Sequence, residues 1–237
     1  MTPASPFHSP MGLAPLILAA ALLCGGCNLL GVIAAKSPPP VVPAAYDGLA
    51  GQRVAVWVWV EPGAEIDYPA LSLQLATRLQ QNLEAARDKG PGRARRNLKE
   101  TTFPIRPESI ERHQNNNPML GSMPITQIAP RLDVDRVIYV EITRFTTQGG
   151  AAAGLYRGVA TMNISVVEAP PAPATPGTTR PAEGTIAFQD QNIQVAFPRR
   201  GPAEGSSTLR AGDAYQGLVL EIADAAARRF VAHQAEE

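Results

Sequence analysis

Valine occupies every second position from Val54 to Val60, and Ala55, Trp57 and Trp59 fill the positions between. β-branched and aromatic residues with apolar character on both faces predict a strand over Arg53 to Val60. Two apolar faces imply a central strand covered on both sides. Pro62-Gly63 ends it. The period then changes to four: Leu71, Leu75, Leu79 and Leu83 predict a helix from Pro69 to Arg87, with Asp67 as its N-cap and Gly90-Pro91-Gly92 as its stop. Thr101 to Ile105 reads as a short edge strand, and Pro107 to His113 and Ile125 to Leu132 as short helices. Two further strands are predicted at Arg136 to Phe145 and Leu155 to Val167. In the second, Tyr156, Ala160, Met162, Ile164 and Val166 face one way, while Arg157, Thr161, Asn163 and Ser165 face the other. That alternation fits a half-exposed antiparallel strand. Thr185 to Phe197 is a fourth strand, in a meander with the previous two. A last helix is predicted from Ala211 to His233, with Tyr215, Leu218, Ile222, Ala226 and Phe230 as its buried stripe. The expected fold is α/β: one mixed sheet of about four to five strands with two long helices packed on it.

The first 35 residues do not fit that pattern. Gly12 to Leu23 is apolar without a break, and Gly25-Gly26-Cys27-Asn28 follow after Cys24. The apolar run has the length of a secretory signal and is short for a membrane span. A cysteine after small residues at this point resembles the bacterial lipobox, where a peptidase cuts before the cysteine and its thiol is acylated. Cys27 is the expected lipidation site. The segment departs from that pattern in having Cys24 where Leu is usual, and in carrying no Lys or Arg before Cys27. Two other readings stay open: an uncleaved span over Gly12 to Ala35, and cleavage further on, for instance after Ala35. All three place the body of the chain outside the cytoplasm. The implied organisation is a signal peptide over 1–26, an acylated N-terminus and Pro-rich tether over 27–46, and a single α/β domain over 47–237 with a Pro-rich insertion at 168–183. Lys36 to Tyr46, with three consecutive prolines, favours extended polyproline II.

Charge and cysteine content narrow the function. The 21 basic and 21 acidic side chains balance, which argues against nucleic acid as a main partner. The chain has two cysteines, Cys24 in the signal and Cys27, which leaves the mature domain without a disulfide or a cysteine metal site. Arg93, Arg95, Arg96 and Lys99 form a basic run, read as a solvated loop or as a contact for anionic lipid or an acidic envelope partner.

Candidate chemistry is sparse. Asp133 and Asp135 flank a strand start, and paired carboxylates bind cations or do acid–base work. Glu141 and His113 are further candidates, although a lone histidine makes no constellation. Trp57 and Trp59 suit a glycan or peptide site, or core. Gly149-Gly150 and Gly154 lie between strands rather than before a helix, a poor phosphate cradle. No cofactor or catalytic motif occurs.

The early strand with its Leu-rich helix, followed by Ile128-Ala129-Pro130-Arg131-Leu132-Asp133-Val134-Asp135-Arg136-Val137-Ile138, resembles a group of bacterial envelope proteins. These are the curli secretion channel lipoprotein, the lipoprotein activator of penicillin-binding proteins and the N-terminal domain of the Tol-Pal translocation protein. The likeness covers about Gln52 to Val167. It implies a non-enzymatic, membrane-anchored lipoprotein that binds an envelope protein or cell-wall partner as an accessory or assembly factor, with no cofactor. Residues 146 to 154 are too short and too rich in Gly and Ala for the membrane-spanning hairpins of the channel. Asn28 rather than Asp after the cysteine points to the periplasmic face of the outer membrane. The alternative is a hydrolase of an envelope polymer using Asp133, Asp135, Glu141 or His113.

Overall fold

The computed structural model describes residues 40–90, 92–147, 156–170, 183–199 and 211–235. Cys27, the predicted signal, most of the tether, the Gly/Ala-rich loop and most of the 168–183 insertion lie outside them. The chain divides into two compact units, one of residues 42–233 and one of residues 1–41 with 234–237. In the smaller unit the Ala235 amide donates to the Pro40 carbonyl over 2.8 Å. The strands β1 (Val41–Val42) and β6 (His233–Gln234) pair as a two-stranded sheet.

The larger unit is built on a four-stranded mixed sheet of β2 (Val54–Val60), β3 (Arg136–Thr146), β4 (Gly158–Glu168) and β5 (Thr185–Phe197), in that spatial order. β2 and β3 run parallel; β3, β4 and β5 form an antiparallel meander. The α/β fold class follows. β2 is an edge strand, not the central strand its two apolar faces imply. Both faces are nonetheless buried, because helices cover each side of the sheet there; the pattern records layers rather than position.

One side carries the main core. Val54, Val56, Val58 and Val60 meet Leu71, Leu75, Leu79 and Leu83 of α2 (Leu71–Lys89). Leu218, Val219, Ile222 and Ala226 of α6 (Ala211–Ala227) complete this layer. The helix predicted to reach His233 ends at Ala227. Beyond it, Phe230 enters the core with no exposed surface and meets Tyr46 and Phe188 at centroid distances of 6.4 Å. On the other side, Ala55, Trp57, Val137 and Val167 pack against Ile110, Leu120, Ile128, Ala129 and Val134. Ile110 lies on α4 (Pro107–Asn116), where Pro107 takes a first-turn position that needs no amide. Short turns follow: a 3-10 turn at Pro118–Ser122, α5 (Ile125–Ile128) and a second 3-10 turn at Ala129–Leu132.

Three local expectations change. Thr101 to Ile105 makes an isolated bridge between Thr102 and Arg53 rather than a strand. Asp67 is the last residue of an extra helix, α1 (Pro62–Asp67), and α2 starts from Ala70 without a side-chain cap. Arg93, Arg95 and Arg96 of the basic run lie in α3 (Gly92–Asn97) rather than in a loop, and Lys99 follows in a turn.

Candidate functional site

A cavity of about 630 Å³ lies beside the carboxyl end of β2. Its floor is aromatic. Trp57 and Trp59 project from the same face of β2, and Tyr139 stands opposite Trp57 in the parallel register with β3. Trp57 is 2% exposed and belongs to the second core, so it supports the floor from below, while Trp59 and Tyr139 are partly exposed. Leu120, Met123, Ile125 and Ile128 form an apolar wall. Pro62 and Ile66 of α1 and Pro118 of the first 3-10 turn stand at the side. Ile66 is 80% exposed, and Met119, between the lining residues Pro118 and Leu120, is 76% exposed. Ile66, which lines the cavity, gives its edge an exposed apolar side chain.

The polar groups are few and acidic. Among the described residues Glu65 of α1 and Glu111 of α4 are the charged groups of the lining, and Ser72, Gln114 and Asn115 are its neutral polar ones. The Ser72 hydroxyl donates to Glu65 Oε1 over 3.1 Å. Burial pushes the Glu65 carboxyl above its usual range; the Ser72 bond opposes this, and the nearby Glu111 charge adds to the rise. Gln114 Nε2 donates to the Val58 carbonyl over 3.3 Å, which ties α4 to the outer edge of β2. Glu111 and Gln114 are three residues apart and share one face of α4. No Lys, Arg or His among the described residues lines the cavity. Among the described residues no salt bridge involves Glu65 or Glu111. Burial, with a smaller contribution from Glu141, also holds the Tyr139 phenol well above its usual range.

The residues singled out in the sequence lie elsewhere, the tryptophans excepted. Asp133 and Asp135 converge on Arg53, not on each other's ligand. The Arg53 guanidinium donates to Asp133 Oδ2 over 3.1 Å, and the Arg53 amide donates to Asp135 Oδ2 over 2.8 Å. The Asp135 and Arg136 amides return bonds to the Arg53 carbonyl. This clasp fixes the start of β2 beside the start of β3, and Asp133 adopts a left-handed conformation at φ 49° to reach it. Glu141 is six residues further along β3, about 20 Å away on strand geometry, where the Asn163 side chain donates to it over 2.8 Å. His113 is exposed on α4 beside Asn117. None of these four lines the cavity. In the basic run, Arg95 donates to the Asp88 carbonyl over 2.9 Å and Lys99 lies 3.4 Å from Glu100.

Sequence reading missed Glu65, Ile66 and Tyr139. A signal for the first two was present: Pro62 followed by Glu65 marks a helical first turn. Among the described residues no group of three or more His, Cys, Asp or Glu is placed to hold a metal ion, and no helix is long and apolar enough to cross a membrane. Compared with known proteins, the chain matches no family model and no curated protein.

Proposed function

We propose that this chain is a membrane-anchored envelope lipoprotein, acylated at Cys27, that binds a partner without catalysis as an accessory or assembly factor. The anchor sits at the periplasmic face of the outer membrane, and the cavity beside β2 receives an envelope protein or cell-wall partner. The reading takes up the likeness of the early strand, the Leu-rich helix and Ile128 to Ile138 to the curli channel, penicillin-binding-protein activator and Tol-Pal group. The observation that carries the reading is the cavity itself: 630 Å³, an aromatic floor and an apolar edge 80% exposed at Ile66. The candidate catalytic side chains, by contrast, are spread over three places.

Two measurements test it. Mass spectrometry of the mature N-terminus is expected to find acylated Cys27; an intact Met1 or a start near Lys36 overturns the anchor. A photo-crosslinking amino acid at position 66, used in cells, is expected to give an adduct that the same group at position 220 does not. Leu220 is 50% exposed on α6, against the other side of the sheet. Equal labelling at both positions removes the cavity as the partner site.

The alternative, a hydrolase of an envelope polymer, now has one specific observation in its favour. Glu65, whose carboxyl burial pushes above its usual range, shares the cavity with Glu111, and a pair of carboxylates flanking a bound sugar is the group set that cleaves glycosidic bonds. Turnover of cell-wall glycan that is abolished by Glu65→Gln would establish it in place of the binding reading.

A further inference from the structure

The cavity has a sign as well as a shape. Among the described residues its two charged side chains are both carboxylates, no cation lines it, and none neutralises either in a salt bridge. Aromatic rings floor it, and the face of an indole or phenol ring attracts a cation once water is excluded. The volume of about 630 Å³ exceeds what one side chain fills, and exposed Ile66 carries the apolar lining out to the surface. An occupant that uses all of this has a positive group on an alkyl stem and apolar residues on either side.

We infer that the cavity takes a lysine or arginine side chain presented by an apolar polypeptide segment of the partner. The stem lies against Leu120 and Ile128, the cation sits between the aromatic floor and the carboxylates of Glu65 and Glu111, and the flanking apolar residues rest on Ile66. This rests on the proposal that the cavity is the partner site. It adds the chemistry that selects the partner: a neutral or acidic segment leaves two carboxylates desolvated and unpaired, which works against it.

The chain reports its own occupancy. Its two tryptophans, Trp57 and Trp59, both line the cavity, so intrinsic fluorescence follows binding there with no added label. The full chain is titrated with three acetylated, amidated tripeptides, Leu-Lys-Leu, Leu-Gln-Leu and Leu-Glu-Leu, and with n-butylammonium. The lysine peptide is expected to give a saturable change and to bind roughly tenfold tighter than the glutamine peptide, the low end for one hydrogen bond to a charged carboxylate. The glutamate peptide and butylammonium bind more weakly still. The double variant Glu65→Gln, Glu111→Gln, shown folded by circular dichroism, binds the lysine and glutamine peptides alike. In the unaltered chain the lysine preference fades as pH falls through the carboxylate range, where Glu65 takes up its proton early. Equal binding of lysine and glutamine peptides overturns the cationic occupant while leaving the cavity as a partner site, which the position-66 crosslink tests separately. Butylammonium binding as tightly as the peptide overturns the polypeptide in favour of a small amine. No saturable response to any probe overturns the inference outright.

Discussion

Leu79 and Ile66 are both aliphatic residues in the segment that follows β2, and the structure gives them opposite fates. Leu79 is 2% exposed, between the valines of β2 and α6; Ile66 is 80% exposed at the cavity mouth. Truncating Leu79 to Ala removes three carbons, about 2.4 kcal/mol of transfer free energy at ~0.8 kcal/mol per buried methylene. The unfilled space adds to this, which places Leu79→Ala at about 3 kcal/mol within the usual ~2–5 kcal/mol range. Against a domain stability of ~5–15 kcal/mol, that is a large fraction. Ile66→Ala is expected to stay within about 0.5 kcal/mol, as for surface substitutions. Urea unfolding followed by circular dichroism separates them: at a slope of ~2–3 kcal/mol/M, Leu79→Ala lowers the midpoint by about 1–1.5 M. Ile66→Ala leaves it in place. A loss above about 1 kcal/mol for Ile66→Ala would refute the reasoning, since only a side chain covered by other groups costs that much. The cavity would then be closed in solution.

Glu65→Gln is expected to stabilise the fold at pH 7. The folded carboxyl titrates above its unfolded value, so ionisation penalises the folded state at pH above both. The variant's advantage shrinks as pH falls through the folded value and is gone below the unfolded one, near pH 4; thermal melts across pH 3 to 8 check it, and an advantage that grows toward acid pH contradicts it. Gly158→Ala should destabilise by ~1–3 kcal/mol, because an added Cβ would lie 2.9 Å from Leu218 Cβ and 3.1 Å from the Ala214 carbonyl oxygen of α6. Denaturant midpoints at or above the parent's would show that β4 and α6 are less tightly apposed. Thr101 is 1% exposed and its hydroxyl donates to the Leu49 carbonyl over 2.7 Å. Thr101→Val should therefore cost about 1 kcal/mol, at the low end for a buried bond, since the Gln52 amide also reaches that carbonyl. A neutral result by the same titration would mean the hydroxyl adds nothing.

What the sequence reveals and what it hides divide along a physical line. The β-branched and aromatic run of Val54 to Val60 and the four-residue spacing of Leu71 to Leu83 are local, and burial, on both faces of the strand and one face of the helix, writes them directly into neighbouring positions. The same holds for β4, where Met162 and Ile164 point to the main core. The edge position of β2 is not local: helices cover both faces, and edge and centre then read alike. The cavity is less local still. Glu65 and Glu111 belong to α1 and α4, with the whole of α2 between them, and nothing in either segment names the other. Asp133 and Asp135 drew attention because they are near neighbours in the chain, yet their carboxylates serve a backbone amide and one arginine. Adjacency in sequence suits a strand clasp better than it suits a binding site.

The parallel pairing of β2 with β3 also has a consequence during synthesis. Val54 lies beside Arg136, so each β2 residue awaits a partner that emerges roughly eighty residues later. At translation rates of ~5–20 residues per second, that is roughly 4–16 s in which a strand of four valines and two tryptophans has no partner strand. Such a segment is a docking target for a holding chaperone and a nucleus for clumping of nascent chains. It is the sequence separation of β2 and β3 that sets the delay.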